Sequence, residues 1–485
     1  MVTKLKPILP IVAMVLMAMA TVTFSRADPA PEQYLAFQIF TASHDYAALT
    51  RNFPPPVVNI GEQVDGIIGA TETVGSKNRK LGFIIGPLSF DDTDEQVRQL
   101  MRESFAVALK KNVATGFHID DSMFWERLSY LNKPENIEWL DWNKTPNTGR
   151  RLDWSTTPTK IMPQLCFNSP AVEDAVKKRA ALIGEEAARG MKMLQAHGRA
   201  NLFLGVIVGS ETQIGRDFDT GKYLGYHALI NQGYNATNPP ADIDQARVAI
   251  VKAFADLWAT SLAQAGVPDD KIYSHIAFMS QTAFDSANFG QPGRLPNPYL
   301  ETVNFTPPSV AFGAHHRPGF STYPQFGLLE QIQTALTQNG NPPWASSEGT
   351  AGDPSTIEKG DPGKTMENYL GNLFNRGAVL VNVFGWGVGD PSNPFRKIAE
   401  NPNAIAAYQK FLRGENLSSD PPAQIPSPQF FGKLRELQKE LPLYLTKNGP
   451  EKVASFYAAL SHDLKAQRYT DAERAVDAIF QAIQP

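Results

Sequence analysis

The chain has 485 residues, 42% hydrophobic and 10% aromatic, with 45 Lys and Arg against 49 Asp and Glu for a formal charge of -4. That is apolar material for a large core, and a balance that excludes the broad basic field by which proteins hold nucleic acid or anionic lipid. Cys166 is the only cysteine, which excludes an intrachain disulfide and a two-thiol redox site.

Residues 1–6 carry Lys4 and Lys6, residues 8–24 are almost wholly apolar, and Ser25-Arg26-Ala27 follows. This order predicts a secretory signal over residues 1–27, cleaved after Ala27. An uncleaved anchor is the alternative, because the run approaches spanning length. Either way the folded part is expected outside the cytoplasm, secreted or periplasmic. With the leader removed, no stable membrane insertion is expected, since no later stretch is long and apolar enough.

From there, apolar strand-like runs alternate with amphipathic helix-like segments. The first run is 34–41 (YLAFQIFT) and the second 80–87 (KLGFIIGP), followed by a helix over 91–111 with acids early and lysines late, as the helix dipole favours. The third run, 113–119, ends in Asp120-Asp121. Beyond an aromatic loop, a helix over 171–197 leads into the fourth run, 202–209, and a helix over 242–265 into the fifth, 271–278. The sixth is read at 309–314, the seventh at 344–347 after a helix over 323–338, and the eighth at 378–384 after a helix over 365–376. A helix over 403–412 closes the last unit.

Eight βα units in series predict an α/β fold, an eight-fold (β/α) TIM barrel over residues 28–413, rather than an open doubly wound sheet. No Gly-rich phosphate fingerprint follows the first strand. Residues 414–429 read as a Pro- and Ser-rich linker, and 430–485 as a C-terminal helical segment of about three helices.

In such a barrel, chemistry sits at the C-terminal ends of the strands. Two glutamates occupy those positions: Glu211 in LGVIVGSETQ after strand four, and Glu348 in PPWASSEGT after strand seven. Around them the strand ends would present His118, Asp120, Asp121 and Trp125 from strand three, Gln213 from strand four, His315, His316 and Tyr323 from strand six, and Trp386 from strand eight. A paired carboxyl arrangement suits glycoside hydrolysis, where one acid protonates the leaving oxygen and the other carboxylate attacks or activates water.

This set resembles the barrel glycosidases of clan A, whose acid/base glutamate ends strand four and whose nucleophile ends strand seven. The resemblance covers the barrel and not the C-terminal helices. It implies Glu211 as acid/base, Glu348 as nucleophile, His315 or His316 with Tyr323 as supports of the nucleophile, and Trp386 as a sugar platform. Two departures stand out: Ser210 occupies the place where many members carry Asn, and no arginine ends strand two.

The resulting expectation is an exported hydrolase that cleaves glycosidic bonds by double displacement, with retention of configuration, takes an oligo- or polysaccharide and needs no cofactor. An inverting enzyme using the same mouth, or Asp120 or Asp121 as one partner, is the near alternative; a silent carbohydrate-binding barrel is the distant one. His118, Asp120, Asp121, Trp125 and Gln213 are expected to line sugar subsites. Adjacent His315 and His316 are read as hydrogen-bonding groups rather than metal ligands, since neighbours in sequence rarely chelate one ion together.

Overall fold

The computed structural model describes residues 31–40, 59–76, 78–151, 159–278, 306–324, 328–352, 365–389, 391–419, 428–465 and 469–483. The expected leader and its cleavage point lie outside them, as does most of the expected linker. No helix among the described residues is long and apolar enough to cross a membrane.

Eight parallel strands form the barrel: β1 (Gln33–Phe40), β2 (Arg79–Leu88), β3 (Ala114–Ile119), β4 (Phe203–Val208), β5 (Ile272–Ser274), β6 (Gly319–Ser321), β7 (Trp344–Gly349) and β8 (Ala378–Val383). Their spatial order runs β5-β4-β3-β2-β1-β8-β7-β6. The ring closes between β5 and β6, where Tyr273 bridges Arg317 and Ile276 bridges Phe320 in parallel register. The molecule is a TIM barrel.

Helices Asp94–Lys111, Pro170–Ala196, Ile243–Gln264, Leu329–Gln338 and Met366–Phe374 return the chain to the next strand. Local sequence starts them. Thr93 and Gln96 close a reciprocal capping box on the first, and Ser169 with Pro170 starts the second. Strand alternation divides the apolar residues into two layers. Leu35, Phe37 and Ile39 face the helices in the main core, while Tyr34, Ala36, Ile84, Ala114, Leu204 and Tyr273 are among those that fill the barrel interior. The C-terminal segment folds as three helices, Pro428–Asn448, Ala454–Lys465 and Tyr469–Ile483, around a small core of their own that includes Phe430, Leu434, Leu437, Leu460 and Val476.

One strand departs from expectation. Strand six is Gly319–Ser321, whereas the stretch read as that strand contains the short 3₁₀ turn Pro308–Ala311. Pro307 and Pro308 start the turn, and a proline cannot donate to a ladder inside a sheet.

The interior is tight where glycines meet. Gly116 on β3 pairs with Gly205 on β4, and a Cβ on Gly116 would lie 2.2 Å from Leu204 Cδ1 and 2.7 Å from the Gly205 carbonyl oxygen. Because that oxygen is backbone, Gly116→Val forces β3 and β4 apart. Equilibrium urea unfolding should show a loss of about 1–3 kcal/mol, and a wild-type midpoint would contradict this packing.

Candidate active site

Glu211 and Glu348 are brought into one mouth by two different backbone devices. After β4 the chain turns at Gly209 with φ 94°, and Glu211 itself adopts φ 58°, a left-handed conformation uncommon for a side chain with a Cβ. The turn is tied down by Thr212, whose hydroxyl donates to Asp121 Oδ2 at 2.5 Å and whose carbonyl accepts from Thr306 Oγ1 at 3.1 Å. On β7, Ala345 belongs to the interior cluster and Ser346 bonds outward to Thr322 and to Tyr369 on a covering helix, so strict alternation would aim Glu348 at the helices. Register shifts beyond Ser346 against both neighbouring strands break that alternation and re-aim the carboxyl.

The end of β6 serves both acids. Ser321 Oγ bonds Glu211 Oε1 at 2.8 Å, donating when that carboxyl is ionised, and Tyr323 donates its phenolic hydrogen to Glu348 Oε1 at 2.7 Å. Burial pushes the Glu348 carboxyl up to about 8; the charge of Glu211 adds to that, and the Tyr323 hydrogen bond opposes both. Two carboxyls in one desolvated mouth hold a proton between them at neutral pH.

Beneath them lies a buried polar layer. His118 Nδ1 stands 3.0 Å from Gln38 Oε1, and its Nε2 stands 2.8 Å from the Gly209 carbonyl oxygen and 3.0 Å from His275 Nδ1. His275 Nε2 reaches Ser321 Oγ at 2.8 Å. Asn382 donates to Gln38 Oε1 at 2.6 Å and to the Ser347 carbonyl at 2.8 Å. Burial lowers His118 to about 4 and His275 well below the usual imidazole range, so both rings are neutral. His118, His275 and Glu348 also bring one potential metal-ligating atom each within 4.8 Å of one another. The two ring nitrogens that face each other there are already engaged in hydrogen bonding.

The other expected site residues divide. Asp120 is built into the wall, its Oδ1 accepting from the backbone N–H of Ser122 and Met123. Asp121 is likewise buried; burial raises its carboxyl against the bonds from Thr212 and Ser122. Gln213 is buried, and its Nε2 has no partner among the described residues.

Four expectations need correction. Trp125 is fully buried in the main core, which leaves no ring face for a sugar. Trp386 packs edge-on to Phe37, 5.1 Å between ring centroids, and Phe37 lies in the layer between strands and helices. His315 and His316 precede β6 instead of following it, at the end of the barrel remote from the mouth. His315 bonds Asp269 ahead of β5, and His316 bonds Asp256 on the helix Ile243–Gln264. The misplaced sixth strand put them at the wrong end.

Four residues that participate were not anticipated: Gln38, His275, Ser321 and Asn382. Phe384 and Phe395 pack edge-on to Tyr323, with ring centroids 6.3 and 6.2 Å from its own.

No family model matches the chain, and no curated protein matches its sequence. Among solved structures it is similar to the catalytic domain of a β-amylase from Paenibacillus polymyxa, at 9% identity, over 80% of this chain and 99% of that one, with TM-score 0.43. It is also similar to a catalytic mutant of a GH42 β-galactosidase from G. stearothermophilus, at 9% identity over 84% and 64%, TM-score 0.42. A third is a sugar phosphate isomerase/epimerase from Parabacteroides distasonis, at 8% identity over 81% and 100%, TM-score 0.33. Likeness this distant does not assign an activity; any assignment rests on the side chains in the mouth.

The raised Glu348 carboxyl makes a thermodynamic prediction. A carboxyl whose folded value is about 8 against 4.5 contributes stability that is complete below pH 4.5 and lost as the pH rises through about 8. Glu348→Gln removes that dependence. Its unfolding free energy should gain on the wild type between pH 5 and 8.5; parallel curves for the two proteins would contradict the shift.

Proposed function

We propose that this protein is a glycoside hydrolase that cleaves an O-glycosidic bond in an oligo- or polysaccharide by double displacement. Glu348 is the nucleophile and Glu211 the acid/base. The observation that carries this reading is the pairing itself: two carboxyls from the ends of β4 and β7, electrostatically coupled, each bonded by a hydroxyl from the end of β6.

Glu348 attacks the anomeric carbon while Glu211 gives its proton to the departing oxygen, leaving a glycosyl ester on Glu348. Glu211, now ionised, takes a proton from water, and the resulting hydroxide breaks the ester with net retention of configuration. Tyr323 supports the charged form of Glu348 and keeps Oε1 occupied, leaving the other oxygen for attack. Burial raises the energy of the free carboxylate, and forming the ester removes its charge. The same reading takes residues 1–27 as an export signal and puts the enzyme in the periplasm or outside the cell.

Anion rescue separates the two roles. With an activated aryl glycoside, Glu348→Gly and Glu211→Gly should each lower turnover by about 10³-fold or more. Azide should restore both, yielding a glycosyl azide of inverted configuration from Glu348→Gly and of retained configuration from Glu211→Gly. Full activity in either variant, or the two configurations exchanged, would contradict the assignment.

A further inference from the structure

Three atoms with lone pairs meet in the buried polar layer. His118 Nε2 lies 2.8 Å from the Gly209 carbonyl oxygen and 3.0 Å from His275 Nδ1, and His275 Nδ1 lies 3.2 Å from the same carbonyl. We propose that this triangle is one face of a binding site for a divalent first-row transition metal ion, with Glu348 as a further ligand. The site stands apart from the glycosidase reading; only its effect on turnover rests on that reading.

These contacts ask for more hydrogens than the residues hold. The Ser347 carbonyl only accepts, so the atom of Asn382 that lies 2.8 Å from it is the amide nitrogen. That nitrogen also donates to Gln38 at 2.6 Å, so Gln38 turns its oxygen toward His118 Nδ1 at 3.0 Å. His118 Nδ1 therefore carries the hydrogen of the neutral ring, and Nε2 keeps its lone pair. A neutral His275 brings at most one hydrogen to the triangle, on Nδ1. In its other tautomer that hydrogen is on Nε2, facing Ser321 Oγ at 2.8 Å. Either way the shortest edge, from His118 Nε2 to the Gly209 carbonyl, has no hydrogen. Two lone pairs so close repel unless a positive charge lies against both. Where Ser321 donates to Glu211, His275 Nε2 in turn donates to Ser321, and all three atoms of the triangle have lone pairs to give.

The spacing is that of ligands. Imidazole nitrogens and oxygens bind such ions at about 2.0–2.2 Å, so two at right angles stand about 2.8–3.1 Å apart. A second proton on His118 fills one edge and leaves the others, whereas an ion serves all three. Two imidazoles favour a transition metal over calcium or magnesium. Glu348 brings the negative charge: His118, His275 and Glu348 each offer a ligand atom, all within 4.8 Å of one another, and binding displaces any proton the carboxyl holds. A metal-bound histidine characteristically has its other N–H held by an acceptor, and Gln38 Oε1 holds that of His118. An ion on Glu348 and a glycosyl ester on Glu348 exclude each other, so loading the site stops the proposed reaction.

Calorimetry with Zn²⁺ on protein dialysed against EDTA tests the site without turnover. One ion per chain is expected, bound at about 10 μM or tighter. X-ray absorption at the zinc edge of the loaded wild-type protein, which needs no variant to fold, should show two imidazoles and only nitrogen and oxygen ligands at about 2.0–2.2 Å. His275→Ala should weaken binding about a hundredfold or more, and Glu348→Gln and Gln38→Leu about tenfold each. His315→Ala, at the other end of the barrel, should leave it unchanged. Fewer than two imidazoles, undiminished affinity in His275→Ala or Glu348→Gln, or no uptake at about 1 mM Zn²⁺ overturns the site. The last result leaves a second proton on His118 as the occupant of the short edge.

The glycosidase reading is scored separately, by hydrolysis of a panel of aryl glycosides with the metal-free protein. Failure to hydrolyse any of them counts against that reading alone, since calorimetry decides the site. Where hydrolysis is found, saturating Zn²⁺ should lower it about tenfold or more and EDTA should restore it. Unchanged turnover in the loaded protein contradicts Glu348 as a ligand.

Discussion

Gln38, His118, His275, Ser347 and Asn382 are shut inside the barrel with at most 1% of their surface exposed. A polar group taken out of water must recover its hydrogen bonds from the protein or lose stability, and the rest of the site depends on how these five do so. Their partners come from different strands: β1, β3, β7 and β8, with His275 just past β5. Satisfying one therefore positions the others. The barrel supplies the fixed spacing, and the polar layer converts it into an orientation for each donor and acceptor.

That layer gives two similar carboxyls unequal surroundings. Glu348 sits on a bulged strand and receives the Tyr323 hydroxyl, which favours its charged form; Glu211 sits on a strained turn above a line of neutral rings. Two carboxyls in a dry mouth cannot both ionise cheaply, and chemistry that needs one acid and one base needs an asymmetry of this kind.

The barrel was legible in the sequence because βα alternation is a periodic signal and most of its strands are long apolar runs. Strand six was not: Gly319–Ser321 has three residues, and a more apolar stretch nearby ends in a turn started by prolines. That single displacement carried His315 and His316 to the wrong end. Glu211 and Glu348 were legible as acids following strands, although neither the positive φ of one nor the register shift of the other shows in residue type. Gln38, His118 and Asn382 did leave a trace, each a polar interruption in an apolar strand: Q in YLAFQIF, H in TGFHI, N in AVLVNVF. Such an interruption inside a buried strand asks for a partner, but which one depends on strand order and register. Trp125 and Trp386 misled for the opposite reason, since an aromatic near a mouth serves the core as readily as a ligand.

The central claim is that Glu348 attacks the sugar. A panel of 2-deoxy-2-fluoroglycosyl fluorides, which form the glycosyl ester faster than water releases it, followed by peptide mass spectrometry, tests it directly. One fluoroglycosyl group per chain is expected, on the peptide containing Glu348 and on its carboxyl. A label on Asp121, on Glu211 or on any other carboxyl would contradict it.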